Sequence, residues 1–462
     1  MDKKLLLIFI LALLVRLISI DQSLWLDEAT TARVVKEYGF TQIVNEFSVR
    51  DFHPPLYYLF MKLWTNIFGY SEIVLRFPSV IFSLLTGYVI YKIAKLLNGY
   101  IIGIWASIFF LINPLIIYYS QEARMYMMVT FFLTVALYFL MIISHVGLAS
   151  TSVLKTRSRN PFGMTKSIVM FNIFSILAFV TFYGSIFLII PVLIYILYKK
   201  KYSIFFTSCF LLLAVFFLLT PLLYQQFINA RAQLRLVPNW TQVLGSTNLK
   251  NFLLIPLKFS LGRISFYPKW LYWVVSGLWT SFVFFFILKG GLKNKFLLFL
   301  VIGSLGLGIL FSFFTPLLQY FRFLYLIPLI CILMPLGLAN LHLKGVNWII
   351  VGGFIIWSLF YLLNPNFQRE DWKSLAQYLN KDRVYMIYSS SDPVSYYRKD
   401  LKIIDLKTVE DKNIIDPEII IIPYTTNIHG IDYQKILKQK KYKLIKKEVV
   451  RGASVETWKF FK

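Results

Sequence analysis

The chain has 462 residues, 58% of them hydrophobic, with a mean hydropathy of +0.66 and a formal net charge of +26. That is too apolar for a soluble globular protein and fits a mainly α, polytopic transmembrane helical bundle. The positive charge is no nucleic-acid signal, because the basic residues sit at loop ends or in a polar tail where 31 of the last 93 residues are charged.

Lys3 and Lys4 precede an apolar run over 5–20 that no small-residue cleavage site follows, so a retained first helix with a cytoplasmic start is expected. Residues 21–72 then form an outside loop. Further helices are expected at about 73–97, 101–118 and 126–145. The stretch 167–198 must cross twice, turning near Phe182-Tyr183-Gly184, and single crossings follow at about 202–223, 270–288, 296–314, 323–341 and 347–363. Under this count Lys92, Lys95, Lys155, Arg157, Arg159, Lys166, Lys199 to Lys201, Lys289, Lys293 and Lys295 all lie inside, as the positive-inside rule asks. In the outside loop 224–268, Leu249 to Phe259 reads either as an interfacial helix with snorkelling lysines or as an ordered loop. Cys209 and Cys331 fall inside apolar runs and read as core residues. Eleven crossings make 1–363 a membrane domain and leave 364–462 outside. That tail reads as a small α/β domain, with helical spacing from Asp371 and buried strands at Val384–Ser389 and Ile419–Pro423.

The carboxylates are unevenly spread. Of 22, only Asp2 is placed on the cytoplasmic side; eight lie between Asp21 and Glu122, none between Ala123 and Arg369, and thirteen from Glu370 onward. The eight share one face in this topology. Asp27 and Glu28, just past the first helix, diverge by about 100° on a helix. The two therefore cannot fill the same role. One can take a proton while the other orients it or meets a cation. The plainer alternative is an acidic helix start. Asp51 and His53, ahead of Pro54 and Pro55, can coordinate a metal, orient an acceptor, or serve structure alone. Glu122 and Arg124 form either a local ion pair or a binding pair. Arg322 has no acid nearby in sequence and Arg16 is buried in the first helix, so each calls for an anion such as phosphate or reaches for lipid headgroups.

Five segments occur in order: Arg16-Leu17; Ser23-Leu24-Trp25-Leu26-Asp27-Glu28-Ala29; His53-Pro54-Pro55-Leu56-Tyr57-Tyr58; Leu75-Arg76-Phe77-Pro78-Ser79; and Tyr119-Ser120-Gln121-Glu122-Ala123-Arg124-Met125-Tyr126. As a set they resemble the GT-C membrane glycosyltransferases, most of all the branch of the protein O-mannosyltransferases and lipid A aminoarabinose transferases. The resemblance covers about residues 10–145, with weaker echoes at Phe182-Tyr183-Gly184, Tyr320-Phe321-Arg322 and Glu370-Asp371-Trp372.

It implies a GT-C-like bundle that takes a sugar from a polyprenyl-phosphate donor on the extracytoplasmic face of the cell membrane, with inversion, and gives it to a glycan, lipid or protein acceptor. Asp27 would be the base and Glu28 its support. Asp51, His53, Tyr57, Glu122, Tyr126 and Tyr183 would line the cavity, and Arg124 and Arg322, with Arg16, would hold phosphate. No cofactor is implied with certainty; a divalent metal at Asp51 and His53 stays open. The aminoarabinose branch carries Glu-Lys before its two prolines where this chain has Phe52-His53, so lipid A specificity does not carry over. Two other readings are a transporter or flippase of a lipid-linked glycan, which would need midplane polar groups and an internal repeat that this chain does not display, and a non-catalytic scaffold whose tail binds a partner.

Overall fold

A computed structural model describes residues 3–145, 161–340, 345–379, 382–409 and 416–461. Asp2 and the expected inner-loop residues Lys155, Arg157 and Arg159 lie outside the described residues. Helix α1 spans Lys3–Leu17. The first loop, expected outside, is itself helical: α2 is Leu26–Glu37, a set of short turns runs from Phe40 to Arg50, and α3 is Leu56–Phe68. Helix α3 is amphipathic; Tyr57, Tyr58, Met61 and Thr65 recur at helical spacing and are buried.

The membrane helices are α4 (Glu72–Asn98), the pair α5 (Tyr100–Leu111) and α6 (Pro114–Ser120), α7 (Tyr126–His145), α8 (Pro161–Thr181), α9 (Ile186–Tyr198), α10 (Tyr202–Leu236), α12 (Lys269–Lys293), α13 (Lys295–Ser312), α14 (Ile327–Asn340, entered through a 3-10 turn from Tyr320) and α15 (Val346–Leu363). Among the described residues, eight helices are long and apolar enough to cross a membrane, or nine if α5 and α6 form one bent span. The other two of the eleven expected crossings, α1 and α9, are apolar but shorter than a full span.

Two expectations need correction. The third crossing is broken: α5 and α6 meet at 60°. Asn113 causes the break, because its Oδ1 accepts from the Leu115 and Ile116 amides while its Nδ2 donates to Phe259 O at 2.8 Å, and Pro114 starts the new helix. The seventh crossing does not stop at 223. Pro221 lies inside α10, which continues to Leu236, about 50 Å in all at 1.5 Å per residue.

The segment Leu249–Leu261 is a helix, α11, capped by Asn248. Its lysine at 258 does not snorkel: Lys258 is buried and donates to Ile264 O and to the Tyr272 hydroxyl, at 2.8 and 3.2 Å. Helices α12 and α14 pack backbone to backbone. A Cβ on Gly290 would lie 1.9 Å from Leu333 O, and one on Gly337 2.0 Å from Phe286 O, so only glycine fits at either crossing point.

After α15 the chain builds a five-stranded sheet of order β2-β1-β3-β5-β4. Strands β1 (Arg383–Met386), β2 (Lys402–Asp405) and β3 (Glu418–Ile421) are parallel, and the hairpin β4 (Tyr442–Val450)–β5 (Ala453–Phe460) joins antiparallel. This unit sits on the first-loop helices. Arg33 pairs with Asp392 at 2.8 Å, the Tyr397 hydroxyl takes the Leu24 amide at 2.9 Å, and Ser23 Oγ accepts from the Trp372 and Lys373 amides. The first loop and the C-terminal unit therefore share one face of the bundle.

Candidate active site

Asp27 and Glu28 occupy the first turn of α2 and part in opposite directions. Glu28 turns inward and is 1% exposed. Its Oε1 accepts from Arg76 Nε at 2.8 Å and from the Ala123 amide at 2.8 Å, and its Oε2 accepts from Arg76 Nη2 at 2.6 Å. Arg76, from α4, also donates to the carbonyls of Ile20, Gln22 and Ser23. One buried fork thus ties the 20–23 turn, α2, α4 and the 121–125 turn together. Both Glu28 oxygens are taken up by protein donors, so its place is in the support of the site.

Asp27 turns outward. Its side chain is 38% exposed, and its Oδ2 lies 3.4 Å from Arg124 Nη2. Arg124 is 6% exposed, its Nη1 donates weakly to the Tyr58 hydroxyl at 3.5 Å, and its Nε has no hydrogen-bond partner among the described residues. Burial works against the Arg124 charge, but Asp27 beside it outweighs that and holds the guanidinium protonated.

Asp51 and His53 do meet. His53 Nδ1 lies 3.3 Å from both Asp51 oxygens. Burial acts to raise the Asp51 carboxyl, but His53, with Arg124 behind it, prevails and holds it below the usual carboxylate range. The outer extension of α10 clamps this segment: Gln226 Nε2 donates to Ser48 O and His53 O, and Asn229 Nδ2 to Val49 O. Gln226 Oε1 accepts from the Tyr183 hydroxyl at 3.0 Å, which joins the α8–α9 turn to the same cluster. His53 stacks on Phe182, and Tyr126 packs on Tyr119, Phe182 and Phe321. The Tyr57 hydroxyl is buried without a partner among the described residues. Among those residues no group of three or more His, Cys, Asp or Glu side chains could hold a metal ion.

Glu122 lies 2.8 Å from Arg369 Nη2 through its Oε2. Burial acts first to raise its carboxyl and Glu28 adds to that, while Arg263 and Arg124 oppose both. Arg263, in the turn after α11, donates to the Tyr118 hydroxyl and lies over the Tyr118 ring. Arg322 makes one weak hydrogen bond, Nη1 to Pro316 O at 3.5 Å, its guanidinium lies 6.0 Å from the Phe321 ring centroid, and no ion pair is found for it among the described residues. Arg16 is elsewhere. It is fully buried between α1 and α4, donating to Ser83 Oγ at 2.8 Å and Ala12 O at 2.9 Å, and it touches none of the acids.

Sequence reasoning alone misses Arg76, Arg263, Arg369 and Gln226 as site residues. Arg76 stands in one of the five ordered segments, and Arg263 stands next to Gly262 in an outside loop without acids. Arg369 and Gln226 carry no local signal; only the fold brings them in.

A protein-family model described as dolichyl-phosphate-mannose-protein mannosyltransferase matches residues 52–155. No curated protein sequence matches the chain. Among solved structures, ArnT from Cupriavidus metallidurans in the apo state is similar over 98% of this chain and 97% of its own, with a TM-score of 0.61 at 13% identity. The same protein bound to undecaprenyl phosphate gives a TM-score of 0.58 at 12% identity, with the same coverage of both chains. The archaeal oligosaccharyltransferase AglB from Archaeoglobus fulgidus, in complex with an inhibitory peptide and a dolichol-phosphate, is similar over 87% of this chain and 64% of its own, with a TM-score of 0.51 at 12% identity. At 12–13% identity these structures show the fold this chain shares with them, and the family model covers less than a quarter of it.

Proposed function

We propose that the chain is an inverting glycosyltransferase that moves a sugar from a polyprenyl-phosphate donor to an acceptor on the extracytoplasmic face. The carrying observation is Asp27: of the acids gathered at the outer end of the bundle it is half open, beside a buried arginine with a free donor. The similar structures that hold undecaprenyl phosphate and dolichol-phosphate support a lipid-phosphate donor. The lysines at the opposite helix ends support an outward-facing site.

In this mechanism an acceptor hydroxyl or amine attacks the anomeric carbon from the side opposite the phosphate. Asp27 takes the acceptor's proton as the new bond forms. The bond to the lipid phosphate breaks, and its electron pair leaves on phosphate oxygen. Arg124, Arg322 and Arg263 neutralise that charge in place, so the leaving group needs no proton. Asp51 and His53 orient the acceptor. A divalent ion, were one used, would be held by these two side chains and would supply positive charge to the leaving group.

Reconstituted protein given a radiolabelled polyprenyl-phosphate sugar should transfer the label to an acceptor. Movement of intact donor across the bilayer with no release of sugar would replace this reading with a flippase.

A further inference from the structure

Resting on that reading, we infer that the seam between the membrane domain and the C-terminal unit is a hydroxyl-binding wall that recognises the neutral sugar of the donor, with Glu370 and Glu122 as its acceptors and Trp25 as its donor. The polar atoms buried at this seam with no partner among the described residues include Glu122 Oε1, Glu370 Oε2 and Trp25 Nε1. Glu122 is 97% buried, being 3% exposed, so its free oxygen is not served by bulk water. Each such atom destabilises the fold while it stays unpaired.

The three belong together. Arg369 joins them: it pairs with Glu122 Oε2, its guanidinium lies 4.0 Å from the Trp25 ring centroid, and its chain neighbour is Glu370. Tyr424 closes the same seam, its hydroxyl lying 3.5 Å from Glu370 Oε1 and its ring packing on Trp372. A sugar hydroxyl can both donate and accept, and so matches all three.

The backbone here is braced for the purpose. The β4–β5 turn presses on residues 369–371: Arg451 Nε donates to Arg369 O at 2.7 Å, and the Asp371 amide donates to Arg451 O at 2.8 Å. Gly452 sits at φ +74°, and a Cβ there would come within 2.7 Å of Glu370 Cγ. The C-terminal unit thereby places Glu370.

The test is binding of full-length protein in detergent to bare undecaprenyl phosphate and to undecaprenyl phosphate carrying mannose, glucose or galactose. Wild type should prefer one sugar-bearing lipid over the bare one. Glu370→Gln should reduce that preference about tenfold or more, the scale of a lost bond to a charged group, with bare-lipid affinity unchanged. Gly452→Ala, which displaces Glu370 without altering its charge, should lower the preference in the same direction. An undiminished preference in Glu370→Gln, or equal loss for bare and sugar-bearing lipids, overturns the inference, as does a wild type that prefers none of the three. Failure of wild type to bind bare undecaprenyl phosphate sinks the lipid-donor reading itself, a different result from intact bare binding with an unmoved sugar preference.

Discussion

At the scale of single residues, two adjacent acids have opposite fates. The divergence of neighbours on a helix separates Asp27 from Glu28, but which one faces Arg76 depends on how α2 rolls against α4, and no local pattern states that. Glu28→Gln would leave the Arg76 charge buried and unneutralised, which costs about 3–5 kcal/mol when one partner of a buried pair is removed. We expect a lower unfolding temperature in detergent, and a variant of wild-type stability with no activity would instead make Glu28 catalytic. Asp51 predicts a pH dependence. Its folded carboxyl is held low, so the stability it contributes is fully present above the unfolded value, about 4, and is lost as pH falls through the lower folded value. Asp51→Asn should therefore destabilise at pH 7 and converge on wild type toward pH 3, as read by thermal melts. A penalty that stays constant down to pH 3 would contradict this.

At the scale of elements, helix existence and type were legible because runs of about 20 apolar residues leave few alternatives. Boundaries were less so. The seventh crossing is expected to end at about 223, but α10 runs on to Leu236, and that extension delivers Gln226 and Asn229 to the segment around Ser48 and His53. The third crossing reads as continuous because apolar residues surround Asn113 on both sides; the break comes from an asparagine cap bonded to a distant helix. Lys258 looks amphipathic in sequence, yet α11 is tucked in far enough to bury it. The glycines at the α12–α14 crossing carry a sharper prediction. Gly337→Val would drive a side chain into the Phe286 carbonyl, at a cost of about 3 kcal/mol or more. The variant should elute as aggregate on size exclusion; a monodisperse peak with wild-type melting would show that the helices can part.

At the scale of the whole molecule, the uneven spread of carboxylates was legible in the sequence: of the eight acids from Asp21 to Glu122, the structure brings Asp27, Glu28, Asp51 and Glu122 to one end of the bundle. The C-terminal unit was legible only in part. Two of its five strands stood out as apolar runs, while β2, β4 and β5 are charged on their open faces and short of a clear alternation. Its contribution of Arg369 across 247 residues of chain to Glu122 is a contact that topology alone creates. The account as a whole rests on Asp27 as the group that accepts the proton. The most direct measurement is sugar transfer by Asp27→Asn from a radiolabelled polyprenyl-phosphate donor, alongside donor binding by the same variant. Transfer at least about a hundredfold slower, with binding and melting temperature kept, is the predicted result, and transfer at the wild-type rate would contradict it.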